Sequence, residues 1–302
     1  MDEAGERGKR QVDFEPHIYF CADDFGLTEK SCGRIEEGVK NGCLNKISVL
    51  SNAPVSELKQ KTDRLSDVRL CIHLNFVEGC CVGQKDGLSL LTDRDGNFKH
   101  SFAGLLRLSI FKRKKFVRQI KLEAAAQIEK MRSVLGFDAP IFLDGHQHTH
   151  MIPAVFSALC EAMAERGIKA DYIRIPCEPI TPFLKTPSLY FRYLSKNLIK
   201  QILLNFFGRI NRRRFKTTGA ETAVFFGIMF SGNMDHGTVK KLLPKYVDYA
   251  KKRGLDIEVL FHPGFVDADE KNEIPSNIRF KDFYLSKGRK SEYAAVMSLK
   301  NK

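Results

Sequence analysis

Three histidines fall within five residues, at His146, His148 and His150, and an acid, Asp144, stands just before them. Imidazole suits zinc and other transition metals, and a nearby carboxylate fixes its orientation. The chain has eight histidines, so this stretch (DGHQHTH) concentrates them beyond what a polar surface turn needs. A pair of acids, Asp23 and Asp24, closes an apolar run and precedes Phe25 and Gly26. Neighbours on an extended chain point to opposite faces, but the run is ending and Gly26 permits a turn. Two acids on one side can divide the work, one as metal ligand and one as base; the competing reading is acids at a helix N-terminus.

His73 sits in an apolar strand, RLCIHLNF, where a hydrogen-bonded core histidine competes with a ligand. His262 follows another apolar run and precedes Pro263 and Gly264. An imidazole there can move protons near neutral pH. Arg174 and Glu178 flank Pro176, where they can pair with each other or contact a polar ligand. There is no G-x-S-x-G, no Walker loop, no G-x-G-x-x-G after a strand and no H-E-x-x-H. Acids and histidines without a nucleophile motif point to metal-assisted hydrolysis.

Most of these residues end apolar, β-prone runs. Strands are expected at 17–24, 46–52, 69–76, 171–176, 223–229 and 256–264, and a short one within 141–150 that runs into the His-rich turn. Helical spacing occupies 33–42, 55–65, 115–136, 153–167 and 236–254, the last with Pro244 as a kink or break. Residues 77–112 show no clear period and read as a long loop. Alternating strands and helices predict an α/β fold with parallel strands, whose sites form at the strands' C-terminal ends.

The 302 residues fit one domain over 1–302, with a flexible tail at 1–16. No apolar run reaches membrane-spanning length and the N-terminus lacks a secretory core, so a cytoplasmic, reducing location is expected. Eight cysteines without a C-x-x-C pair agree with reduced thiols. The net charge of +13 is local: residues 107–121 hold seven Lys/Arg and residues 183–216 hold nine, with no acid in either. The bases of the second segment, including Lys196, Lys200 and Arg209, alternate with Leu194, Leu198, Ile202, Leu203 and Phe206. A basic amphipathic insertion at 178–218, helical from Leu189 to Ile210, is therefore expected. It suits an anionic membrane surface better than nucleic acid; a solvated basic face is the alternative.

The elements ADDFG (22–26), IHL (72–74), DGHQHTH (144–150), RIPCE (174–178) and EVLFHPG (258–264), in this order, resemble the YdjC-like carbohydrate deacetylases. That resemblance implies a (β/α) barrel-like fold, distorted, with fewer than eight strands. It also implies one divalent metal ion, Mg2+ or Zn2+, and removal of the acetyl group from an N-acetylated sugar. By position, Asp24, His73 and His146 resemble the metal ligands and Asp23 the catalytic base. His262 resembles a histidine facing Asp23 across the site and would serve as acid. His148 and His150 match family positions that either support the ligands from behind or contact substrate; Arg174 and Glu178 are also candidates for substrate contact. Two alternatives stay open: a membrane-peripheral carbohydrate-binding protein without catalysis, and a metal-dependent phosphoesterase. The oligomeric state is open too, a homodimer included.

Overall fold

The computed structural model describes residues 14–65, 67–192 and 195–299. Most of the tail expected at 1–16, and Leu194 of the apolar series, lie outside them. Seven parallel strands form one curled sheet in the order β5-β4-β3-β2-β1-β7-β6. They are β1 (Ile18–Phe25), β2 (Lys46–Leu50), β3 (Arg69–Leu74), β4 (Phe142–Gly145), β5 (Tyr172–Ile173), β6 (Val224–Phe226) and β7 (Ile257–Phe261). The expected α/β barrel-like fold with fewer than eight strands is what the chain adopts. The two ends of the sheet, β5 and β6, do not pair among the described residues; β5 instead makes one isolated parallel bridge, Tyr172 to Glu221, with the segment that precedes β6.

The strands alternate in a way that builds two surfaces from one sequence. On β2, Ile47 and Val49 join the apolar core beneath the helices, while Lys46 and Ser48 face inward. Ile72, Leu143, Ile173 and Val259 continue the core side. The inner side carries Cys71, His73, Asp144, Tyr172, Arg174 and Glu258, all buried. The concave face is therefore a packed polar layer, and its charges must pair to stay buried. Lys46 Nζ lies 2.7 Å from Glu258 Oε2, and Arg174 Nε lies 2.6 Å from Glu258 Oε1.

Helices α1 (Glu29–Asn41) and α2 (Leu58–Asp63) follow β1 and β2. Thr28 caps α1 through a capping box with Ser31, so the helix starts before the expected residue 33. The loop expected at 77–112 contains a helix, α3 (Phe102–Phe111), capped by Ser101. Its sequence is apolar nearly all round and hides the period: it buries Leu105 and leaves Ile110 and Phe111 exposed. The long α4 (Arg113–Leu135) packs on β3 and on α5 (Pro153–Ala164). The insertion forms a short α6 (Thr181–Leu184), a 3-10 turn at Pro187–Leu189 and α7 (Ser195–Thr218), so the helix begins after Leu189. Helix α8 (His236–Lys251) runs unbroken through Pro244. Three elements follow the last expected strand among the described residues: a 3-10 turn at Ala268–Glu273, α9 (Lys281–Tyr284) and α10 (Lys287–Ser298).

Candidate active site

The two adjacent acids reach one site because β1 is irregular. Its pairing with β2 shifts between Ala22 and Phe25. Asp24 takes φ +70° and Gly26 φ +103°. A left-handed aspartate costs on the order of 1 kcal/mol, and such bulges re-aim side chains. The turn expected at Gly26 thus starts at Asp24. Gly26 is itself required: a Cβ there would stand 2.6 Å from the Ala53 Cβ. Asp23 Oδ2 and Asp24 Oδ1 then lie 4.0 and 3.6 Å from the same atom, His73 Nε2.

Asp24, His73 and His146 come from the ends of β1, β3 and β4, with donor atoms all within 4.8 Å of one another. His73 Nδ1 is held by Asp144 Oδ1 at 2.5 Å, which leaves Nε2 facing the acids. His146 Nε2 lies 2.8 Å from Glu78 Oε1, and its Nδ1 lies 2.8 Å from Asp24 Oδ1. Each imidazole thus has a carboxylate behind it and a second nitrogen aimed at the centre, the pattern of oriented metal ligands. Arg289 holds Asp24 Oδ2 from α10. His73 Nε2 is buried and makes no hydrogen bond, and Asp24 Oδ1 is buried with its ion pair to His146 but no aligned hydrogen bond. These two atoms beside His146 Nδ1 fit a divalent ion with positions left open.

The electrostatics agree with a site built to attract a cation. Burial works against ionising Asp24, yet Arg289 and His146 hold its carboxyl well below the usual range. Burial likewise works against protonated histidines, but Asp144 and Asp23 raise His73 to about 10, and Asp24 and Glu78 raise His146 to about 9. Asp23 is gripped by Arg174 through both oxygens, Nη1 to Oδ2 at 2.8 Å and Nη2 to Oδ1 at 2.9 Å. Against the cost of burial, Arg174 and then His73 keep it ionised.

Arg174 therefore has a different task from the expected substrate contact. It is fully buried and shared among Asp23, Asp144 and Glu258. Glu178 also has structural partners. Its carboxylate accepts the backbone N–H groups of Gly227, Ile228 and Met229 and the Tyr246 hydroxyl. The two flanking charges bind other groups rather than each other.

His148 and His150 are buried beside the site. His150 Nε2 donates to the Arg174 carbonyl at 2.9 Å, and burial lowers its imidazole to about 4. His148 packs on Phe225, and burial holds it well below its ordinary value. His262 is less buried. Register puts Ala22 level with Phe261, so His262 follows on the strand next to Asp23. Its backbone N–H donates to Glu292 Oε2 at 2.5 Å, and its ring lies against Phe283.

Sequence reasoning missed Glu78, Arg289, Glu292 and Tyr284, which stand behind the candidate ligands and His262. None belongs to a short motif; they meet the site only because the loop at Glu78 and helices α9 and α10 fold over the strand ends. It also missed that α7 brings Lys200 near Asp23 and Asp24; burial, the larger effect, lowers its ammonium to about 8. A pocket of about 380 Å³ reaches the cluster at Glu78, with Asn52, Asn75, Lys130 and Asn277 on its walls.

Residues 17–302 match the family described as YdjC-like protein. A mouse protein named carbohydrate deacetylase is 26% identical over 254 residues, 82% of this chain and 78% of that one. A chitooligosaccharide deacetylase of Salmonella paratyphi B is 30% identical over 148 residues, 49% of this chain and 55% of its own. A crystal structure described as a candidate cellobiose-phosphate cleavage protein of Enterococcus faecalis superposes with a TM-score of 0.62. It is 16% identical and covers 94% of this chain and 91% of its own, a likeness of fold.

Proposed function

The chain belongs to the YdjC-like protein family, and on that footing we propose that it is a carbohydrate deacetylase. It removes the acetyl group of an N-acetylated sugar with one divalent ion. The observation that carries this reading is the convergence of Asp24, His73 and His146, with His73 Nε2 buried and unbonded, beside the ionised Asp23. The names of the relatives supply the substrate class.

When bound by Asp24, His73 and His146, such an ion supplies a Lewis acid for the acetamide oxygen and lowers the pKa of water. Asp23 takes the proton of the attacking water; Arg174 holds both its oxygens in place. Amine leaves poorly unless protonated, and His262 supplies that proton while Glu292 fixes the backbone beside it. Acetate and the free amino sugar are the products. His148 and His150, neutral and buried, shape the wall and support Arg174.

A phosphoesterase fits less well, since such enzymes favour paired ions. The second acidic group, Asp23 with His73 and Asp144, shares His73 with the first, and Arg174 already occupies it. A binding protein without catalysis has no use for Asp23 poised beside the ligands. Buried thiols at Cys21, Cys32 and Cys71 favour the cytoplasm or another reducing compartment.

The test is acetate release from a panel of N-acetylated oligosaccharides with added Mg2+ or Zn2+, alongside elemental analysis. Activity should vanish on chelation and return with metal, and His146→Ala should lose most of the ion. Full metal occupancy in His146→Ala, or no acetate from any acetamido sugar, rejects the assignment.

A further inference from the structure

Helix α7 has two unlike sides. Asn197, Gln201, Leu204, Phe207 and Asn211 are buried against the barrel. Asn197 donates to the Met229 and Ser231 carbonyls, Gln201 to Glu178 O and Asn211 to Met151 O. On the opposite side Ile199, Ile202, Phe206 and Ile210 are 68%, 59%, 53% and 50% exposed. Their spacing of three, four and four residues makes one continuous stripe along the helix. A surface helix ordinarily puts polar residues there.

Bases surround the stripe. Lys196, Arg209, Arg212 and Arg213 are exposed and have no ion-pair partner among the described residues; Arg214 reaches Glu161 at 3.3 Å. Helix α3, which stacks Phe102 on Phe207, ends in the exposed Ile110 and Phe111 and leads into Lys112–Lys115. No acid occurs in 107–121 or 183–216.

We propose that this face docks on an anionic lipid bilayer, with the α7 stripe among the acyl chains and the bases among the headgroups. The charge selects the occupant. A second copy of this chain, meeting the face by two-fold symmetry, would set the same bases against themselves. A polyanion without an apolar layer leaves the Ile and Phe side chains in water. An anionic bilayer satisfies both parts, as it does for helices that lie in the interface. The same helix carries Lys200 within electrostatic reach of Asp23 and Asp24. The inference goes beyond the deacetylase reading and does not depend on it.

The experiment is co-sedimentation of the full chain with phosphatidylcholine vesicles, with and without phosphatidylglycerol, at low and high salt. Binding should be at least ~10-fold stronger with phosphatidylglycerol and should fall with salt. Phe206→Ser and Ile202→Ser, each at an exposed position, should weaken it ~10-fold without changing circular dichroism or thermal midpoint. Equal binding to both vesicle types, no binding at low salt, or unchanged binding by both variants overturns the proposal. So does a dimer in sedimentation equilibrium that Phe206→Ser dissociates, since the face then belongs to a second copy.

Discussion

At the scale of single residues, the proposed function assigns holding an ion and moving a proton to different groups of the candidate site. Asp23 touches Arg174 and lies near His73, but it is not in the group formed by Asp24, His73 and His146. Asp23→Asn keeps the shape and removes the proton acceptor. Metal content by elemental analysis should survive, while turnover falls by ~10²–10⁴. Unchanged turnover makes Asp23 structural. His150 predicts a pH effect on stability. Its imidazole titrates near 4 when folded against an ordinary 6.5, so the unfolded chain binds more protons between those values. Stability is therefore present above 6.5 and is lost as pH falls toward 4. His73 and His146 shift upward, so their contribution changes only above 6.5 and leaves this window alone. His150→Gln should remove about 2 kcal/mol of the loss between pH 7 and pH 5, read from urea midpoints. An equal loss in wild type and variant refutes the assignment.

At the scale of elements, strand ends were legible and loop-borne groups were not. The residues of β1, β3 and β4 declare themselves because an acid or histidine closes an apolar run. Period-2 alternation on KISVL separates Ile47 and Val49 from Lys46 and Ser48 once the strand is known. The sequence cannot say that Glu78, from a loop, would back His146, because nothing in its spacing relates residue 78 to residue 146. Helix α3 escaped notice because Phe-Ala-Gly-Leu-Leu-Arg-Leu-Ser-Ile-Phe has no polar stripe. The seating of α7 was equally hidden, and it turns on one glycine. A Cβ at Gly208 would stand 2.1 Å from Cys177 Sγ, an approach no side chain tolerates. Gly208→Ala should cost ~1–3 kcal/mol by overpacking. Because the Cys177 Cβ is 3.7 Å away, Gly208→Ala with Cys177→Ala should recover most of that loss in thermal melts. No recovery would place the strain elsewhere.

At the scale of the whole molecule, a concave layer of paired charges stands where many barrels pack aliphatic side chains. Lys46, fully buried, has one ion-pair partner among the described residues, Glu258. Lys46→Met leaves Glu258 to Arg174 and Tyr172 and should cost ~3–5 kcal/mol in urea unfolding. Pairing it with Glu258→Gln should cost less than the two single losses added together. A Lys46→Met cost below ~1 kcal/mol contradicts this account. The pair also has a bearing on the order of events during synthesis. Glu258 comes 212 residues after Lys46, and sheet order seats β7 directly against β1. Until the ribosome has released that last strand, the Lys46 ammonium has no counter-charge and must keep its water. Loop closure over so long a stretch is slow, so drying of the barrel interior waits for nearly the entire chain. A nascent chain halted before residue 256 should therefore remain open and protease-sensitive, with β1 to β5 already made but their inner face still wet.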